Sequence, residues 1–137
     1  MKIFFDSSAF AKRYIEETGS DLVEELCFNA TDLALSILCM PEILSAMNRR
    51  LREKSISRKE YEIAKSRLLE EIEDIALVNL TPTVIQKSIV LLEKHTLRTL
   101  DALHIACATE WQPDLFVSSD QRQIQAAKQS GLSIQLI

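Results

Sequence analysis

The sequence predicts an α/β fold: a three-layer α/β/α sandwich around a central parallel sheet of four to five strands, with a protruding helical hairpin. Three observations lead there. Short apolar runs alternate with helix-like segments along the whole chain. Those runs are apolar throughout instead of alternating in and out, as expected of strands covered on both faces. No linker, repeat or low-complexity tract divides the 137 residues, so residues 1–137 are expected to form one domain.

The first strand is KIFF, Lys2–Phe5. Ser7 and Ser8 then offer helix N-caps, and AFAKRYIEE is expected to run as the first helix until Gly19 breaks it. Ser20 caps a second helix, DLVEELCFNA, with a glutamate near the capping-box position. LALSILC, Leu33–Cys39, has a strand's length. Pro41 suits the first turn of the amphipathic helix that continues through EILSAMNRRLREK. Ser57 starts a second long helical pattern, and the hairpin from Pro41 to Asp74 is the segment expected to project. Ile75–Leu80 reads as a strand. Thr81-Pro82 opens a helix with Val84, Ile85, Ile89 and Leu92 on its apolar side. A helix from about Thr99 to Glu110 follows, then the strand LFVSS. The helix DQRQIQAAKQS ends at Gly131, and SIQLI closes the sheet.

Composition narrows the function. The hydrophobic content is 47% and the net charge −4, so the chain as a whole is no basic nucleic-acid glove. Any nucleic-acid contact must be local or helped by metal ions. Cys27, Cys39 and Cys107 are far apart and lie in apolar segments, as reduced core residues of a cytoplasmic protein would. MKIFFDSSAF is interrupted too early by Asp6 for a signal peptide, and no run approaches a membrane span.

Four acids share one local context. Asp6 and Asp120 each end a strand and begin a helix. Glu42 follows a strand in the first turn of its helix. Asp101 lies in the first turn of a helix that looks apolar on nearly every side, with His104 three positions on. In a parallel α/β fold those positions point to one edge of the sheet. Asp32, Asp74 and Asp114 precede strands and belong at the opposite edge. Singly, each acid of the first group could serve a helix dipole. Together they would repel one another, and a hard divalent cation relieves that repulsion. Carboxylate oxygens select Mg²⁺ or Mn²⁺. Zinc is disfavoured, because no Cys/His set has ligand spacing.

The segments FFDSSAFAKRY, PEILSAMNRR, LRTLDALHIACA and FVSSDQRQIQAA, in that order, resemble the PIN domain, most closely its VapC-like toxin branch from bacterial and archaeal toxin–antitoxin modules. The likeness runs from the first strand to the last helix. It implies a metal-dependent endoribonuclease that hydrolyses RNA phosphodiester bonds with Mg²⁺ or Mn²⁺, is inhibited by a cognate antitoxin and forms a homodimer. By motif, Asp6, Glu42, Asp101 and Asp120 align with the acidic cluster. Ser118 aligns with a hydrogen-bonding Thr or Ser, and Ser8 with a small polar residue near the metal. The resemblance gives Asp6 and Asp101 the closest metal contacts. Asp120 completes the shell or holds a metal-bound water, and Glu42 orients water or binds a second ion. Some members carry a further acid after the fourth motif; here Gln121, Arg122 and Gln123 follow.

Four basic residues are candidates for RNA contact. Arg49 and Arg50 begin a basic run flanking the hairpin turn, and Lys12 and Arg13 lie one to two turns beyond Asp6. Arg98 is expected to pair with an acid of the cluster, His104 to bond a carboxylate or the backbone, and Trp111 to serve packing. Two other functions compete. A receiver-like Mg²⁺ domain needs a phosphoacceptor Asp ending a central strand and a Lys ending a later one, and no strand here ends in Lys. A non-catalytic PIN-like scaffold binding RNA or protein is opposed by the complete set of acids.

Overall fold

A computed structural model describes all 137 residues, Met1–Ile137. Five parallel strands form one sheet: β1 (Lys2–Phe5), β2 (Asp32–Ser36), β3 (Ala76–Val78), β4 (Leu115–Ser118) and β5 (Ile134–Leu136). Their spatial order is β3-β2-β1-β4-β5. The chain walks from β1 outward through β2 to β3, then returns to lay β4 on the other side of β1. The switch in direction therefore falls between β1 and β4, where α/β sheets open a crevice at their strand C-termini. Register follows from this, with Phe4 opposite both Ala34 and Phe116.

The side-chain period of two splits the core between two faces. Phe4, Ala34 and Phe116 face one way, toward α5 (Pro82–Lys94), α6 (Thr99–Trp111) and α7 (Gln121–Gln129). Ile3, Phe5, Leu35 and Val117 face the other way, toward α1 (Ser7–Phe10), α2 (Ser20–Asn29), α3 (Cys39–Arg52) and α4 (Arg58–Glu71). The expected three layers and strand number are both present. α6 packs against α5, α7, β2 and β3, and all eight residues from Asp101 to Ala108 are buried.

Local chemistry moved several boundaries. The first helix does not run through to Glu17. It ends at Phe10, continues as a 3₁₀ turn over Ala11–Arg13, and then the chain doubles back. The Lys12 ammonium donates to Thr18 O and Ser20 Oγ donates to Lys12 O, which ties that turn. The N-cap is Asp6, whose carboxylate accepts from Ala9 N, not Ser7 or Ser8. Gly19, at φ 98°, occupies the N-cap of α2, and Ser20 is its first residue. No capping box forms there. The expected Leu33–Cys39 strand stops at Ser36, because Ser36 Oγ accepts from Leu38 N and turns the chain into α3. Ser57 does build a capping box with Glu60. The hairpin projects less than expected: Ile43, Met47, Tyr61 and Leu68 are buried in the core, while its tip from Arg52 to Glu60 is exposed apart from Ile56. The cysteines are unpaired, and no helix is long and apolar enough to cross a membrane.

Candidate active site at the carboxyl edge of the sheet

Asp6 lies at the end of β1, at the switch point, and is 1% exposed. Its backbone N donates to Val117 O across to β4. Its carboxylate accepts from four groups. Ser8 Oγ reaches both oxygens at 2.8 Å, Ala9 N reaches Oδ1 at 3.0 Å, and Ser118 Oγ and Gln123 Nε2 each reach Oδ2 at 2.8 Å. Every donor is neutral, and no lysine or arginine pairs with Asp6. Burial pushes its carboxyl above the usual range, against the lowering effects of Ala9, Ser118, His104 and Ser8.

Asp101 answers the question of how a carboxylate survives inside an apolar helix. Its Oδ1 accepts from Gln123 Nε2 at 3.0 Å, and its Oδ2 from Arg98 Nε at 3.1 Å. One amide nitrogen thus touches both buried acids. Asp120 caps α7 by accepting from Arg122 N and Gln123 N, and its other oxygen lies 3.8 Å from Arg98. Ser118 Oγ also accepts from Asp120 N, so one hydroxyl ties Asp120's backbone to the Asp6 carboxylate. Arg98, the guanidinium between Asp101 and Asp120, is 80% exposed in its side chain.

Glu42 forms the far wall. Its Oε1 accepts from Ser7 Oγ at 2.7 Å and contacts His104 Nε2, and Ser7 Oγ lies 3.2 Å from the same ring nitrogen. Burial works against this carboxylate, but His104 and Ser7 outweigh it and hold Glu42 below its ordinary range. His104 therefore bonds a carboxylate, as the packed-histidine reading holds, but the partner is Glu42 and not Asp101, the acid one turn away. A groove of about 580 Å³ opens beside Glu42, lined by Leu38, Pro41, Ser45, Ala46, Arg49, Arg52 and Leu100.

All four predicted acids thus stand at one edge with Ser8 and Ser118 among them. The other acids behave as expected of the opposite edge. Asp32 and Asp74 line a separate cavity with Lys2 and Trp111, and Asp114 accepts from Lys2 N at 2.7 Å. Trp111 packs on Phe4 beneath the Lys2 ammonium. The proposed RNA contacts divide. Lys12 is bound to Glu17 and Thr18, and Arg13 to Glu24 and Glu71, both with largely covered side chains. Both lie where the sequence puts them, in the 3₁₀ turn after α1, but each is tied to acids or carbonyls of the protein itself. Arg50 pairs with Glu17 at 3.3 Å. Arg49 is exposed and lines the groove with Glu42.

No three Asp, Glu, His or Cys side chains as they stand are arranged around one point to hold a metal. What lies between the acids is the Gln123 amide and the Arg98 guanidinium, N–H donors sitting where a cation would share the same oxygens. The donor set itself is hard carboxylate oxygen, which suits Mg²⁺ or Mn²⁺. Gln123 and the Ser7–Glu42–His104 contact were not anticipated. The signal for Gln123 was available, since a glutamine three residues after the Asp120 cap must point back over the helix start.

A parallel α/β sandwich with acids gathered at its switch point defines a class of α/β domains with an anionic crevice at the carboxyl edge of the sheet. The chain matches the PIN domain model over residues 3–129, and it belongs to the PIN domain family. It is 36% identical over 107 residues to Ribonuclease VapC45 of Mycobacterium tuberculosis, covering 77% of this chain and 74% of that protein. Among solved structures it resembles M. tuberculosis VapC20, a sarcin-ricin loop cleaving toxin, with a TM-score of 0.71 and 16% identity over 90% of this chain and 94% of that one. VapBC2 from Rickettsia felis bound to a promoter DNA fragment gives a TM-score of 0.69 and 14% identity, covering 100% and 99%. These two likenesses concern the fold.

Proposed function

We propose that this protein is a metal-dependent endoribonuclease, the toxin of a toxin–antitoxin pair, working in the cytoplasm. One observation carries the reading: Asp6 is buried at the switch point among neutral donors alone, and the same Gln123 nitrogen that touches it touches Asp101. Asp6, held that way, has no counter-charge within hydrogen-bond reach in the protein, and Asp101 shares its amide donor, so the two offer oxygens to a cation from outside. The relative named as a VapC ribonuclease supports RNA as the substrate.

Asp6 and Asp101 would hold the ion, with Asp120 closing the shell from its capping position. Bound there, Mg²⁺ or Mn²⁺ supplies acidified water and charge neutralisation at the phosphate. Ser8 and Ser118 keep the Asp6 oxygens oriented. Glu42, backed by Ser7 and His104, can orient a water and take its proton at Oε2. Arg49 and Arg52 line the groove beside Glu42 and would meet flanking phosphates. An antitoxin is the expected partner, as in the toxin–antitoxin complexes whose fold this chain shares. A homodimer is expected to use the β3 side, where Leu77, Ile85 and Ile89 are exposed.

The test is cleavage of a mixed RNA pool with Mg²⁺ or Mn²⁺ against EDTA, by wild type and Asp101→Asn. Cleavage that needs the ion and is lost in the variant supports the reading; cleavage that survives both overturns it. Expression should also arrest growth, and co-expression of the cognate antitoxin should relieve the arrest. Cleavage without growth arrest would mark a housekeeping nuclease instead.

A further inference from the structure

Gln123 is the polar side chain at the site to which the reading above gives no task. It is 2% exposed and is the third residue of α7. Its Nε2 donates to Asp6 Oδ2 at 2.8 Å and to Asp101 Oδ1 at 3.0 Å. Its Oε1 is equally buried and has no hydrogen-bond partner. Buried acceptors are nearly always paired, so an idle one at the floor of a charged site needs a physical cause. The amide's orientation is forced: turned the other way, Oε1 would face two carboxylate oxygens, acceptor against acceptor.

We infer that Gln123 is a positioning residue with two settings, an inference that rests on Asp6 and Asp101 being the holders of a divalent cation. Without the ion, the NH₂ group ties the two carboxylates together as a neutral substitute for positive charge. An ion shared by the same two oxygens displaces that NH₂, because both cannot occupy one place. The amide then turns about its terminal bond, an sp³–sp² torsion with a broad two-fold profile. It presents Oε1, a hard oxygen, to the ion or to a water on it. The acceptor that is idle in one setting is used in the other.

The experiment follows the Gln123 side-chain NH₂ signals by NMR in isotope-labelled wild type, identified by their loss in Gln123→Glu, during titration with Mg²⁺. Calorimetric Mn²⁺ affinities of wild type, Gln123→Leu and Gln123→Glu accompany it. The NH₂ signals should shift and lose solvent protection as Mg²⁺ binds. Gln123→Leu should weaken Mn²⁺ binding by about 10–100-fold, the usual effect of removing a supporting ligand, and Gln123→Glu should restore it. Mg²⁺ binding with unmoved NH₂ signals overturns the inference, as does Gln123→Leu binding Mn²⁺ as tightly as wild type or more so. In both cases the metal reading of the site survives. A wild type that takes up neither ion overturns both. If Gln123→Leu does not fold, the wild-type NMR titration decides alone.

Discussion

Two charged clusters in this molecule are built on opposite plans. In the first, Arg13 lies 2.8 Å from Glu71 and 3.2 Å from Glu24, and Arg67 lies 2.7 Å and 3.2 Å from the same two acids. Tyr14 adds its hydroxyl to Glu71. Two positive and two negative groups close on each other, and the cluster is neutral. In the second, Asp6, Asp101, Asp120 and Glu42 face mostly neutral donors, with Arg98 as the one guanidinium and that largely in solvent. The first cluster has no use for an outside ion. The second is left net negative, which is what the proposed ion would offset. Self-pairing marks charges that hold a fold together; neutral support of a one-signed group marks charges kept for binding.

The sharpest way to break that contrast is Asp101→Asn. If the acid edge serves an ion, the substitution should lower metal-dependent RNA cleavage by more than about 100-fold, since even supporting residues of metal sites cost 10–100-fold. The metal-free protein should melt no lower than wild type, because one of the crowded negative charges is gone. A large loss of melting temperature instead would put Asp101 with the structural cluster.

Glu42→Gln should follow with a drop of roughly 10²-fold in cleavage, the scale of a general base. Its stability effect carries a sign that can be checked. Glu42 is held below its ordinary value of 4.5, with burial opposing and His104 and Ser7 prevailing. Its contribution to stability is therefore present above pH 4.5 and is lost as pH falls through the lowered folded value. The difference in unfolding free energy between wild type and variant, from urea melts, should shrink as pH drops below 4.5. Asp6 runs the other way: burial raises its value, so its proton favours the fold, and wild type should lose stability relative to Asp6→Asn as pH rises.

Arg13→Ala tests the self-paired cluster. Two glutamates lose a shared partner, and stability should fall by about 1.5–3 kcal/mol, the range for charge-assisted hydrogen bonds. Cleavage measured well below the melting temperature should stay at the wild-type rate. A fall in rate without a fall in stability would return Arg13 to the role of RNA contact that its position one to two turns past Asp6 suggested.

The partners of Lys12 and Arg13 show what a sequence displays and what it hides. The sandwich, its parallel strands and the edge on which Asp6, Glu42, Asp101 and Asp120 meet were legible, because strand order along the chain and apolar runs determine them. Partners of individual charges were not. Lys12 looked free until the chain doubled back at Tyr14 and brought Thr18 and Glu17 to it. The length of α1 depended on side-chain-to-backbone ties that no periodicity records. Gln123 was passed over as a non-acid, although its position near the N-terminus of α7 aims it at Asp6. That His104 bonds a carboxylate or the backbone is legible in the sequence, but not which one, since its partner Glu42 comes from α3, some sixty residues away.

The smallest expected effect is the most discriminating control. Asp32 begins β2 at the amino edge of the sheet, is exposed, and shares a cavity with Asp74 and Lys2. It carries the same carboxylate as Asp6 and lies one strand over, at the opposite end. Asp32→Asn should change stability by no more than about 0.5 kcal/mol, as surface substitutions usually do. It should leave both Mn²⁺ affinity and RNA cleavage as in wild type. The reason is electrostatic: an exposed charge at the far edge of the sheet is screened by water and salt before it reaches the site. If removing Asp32 weakens the ion as Asp101→Asn does, then total negative charge governs binding, and the switch-point geometry loses its explanatory role.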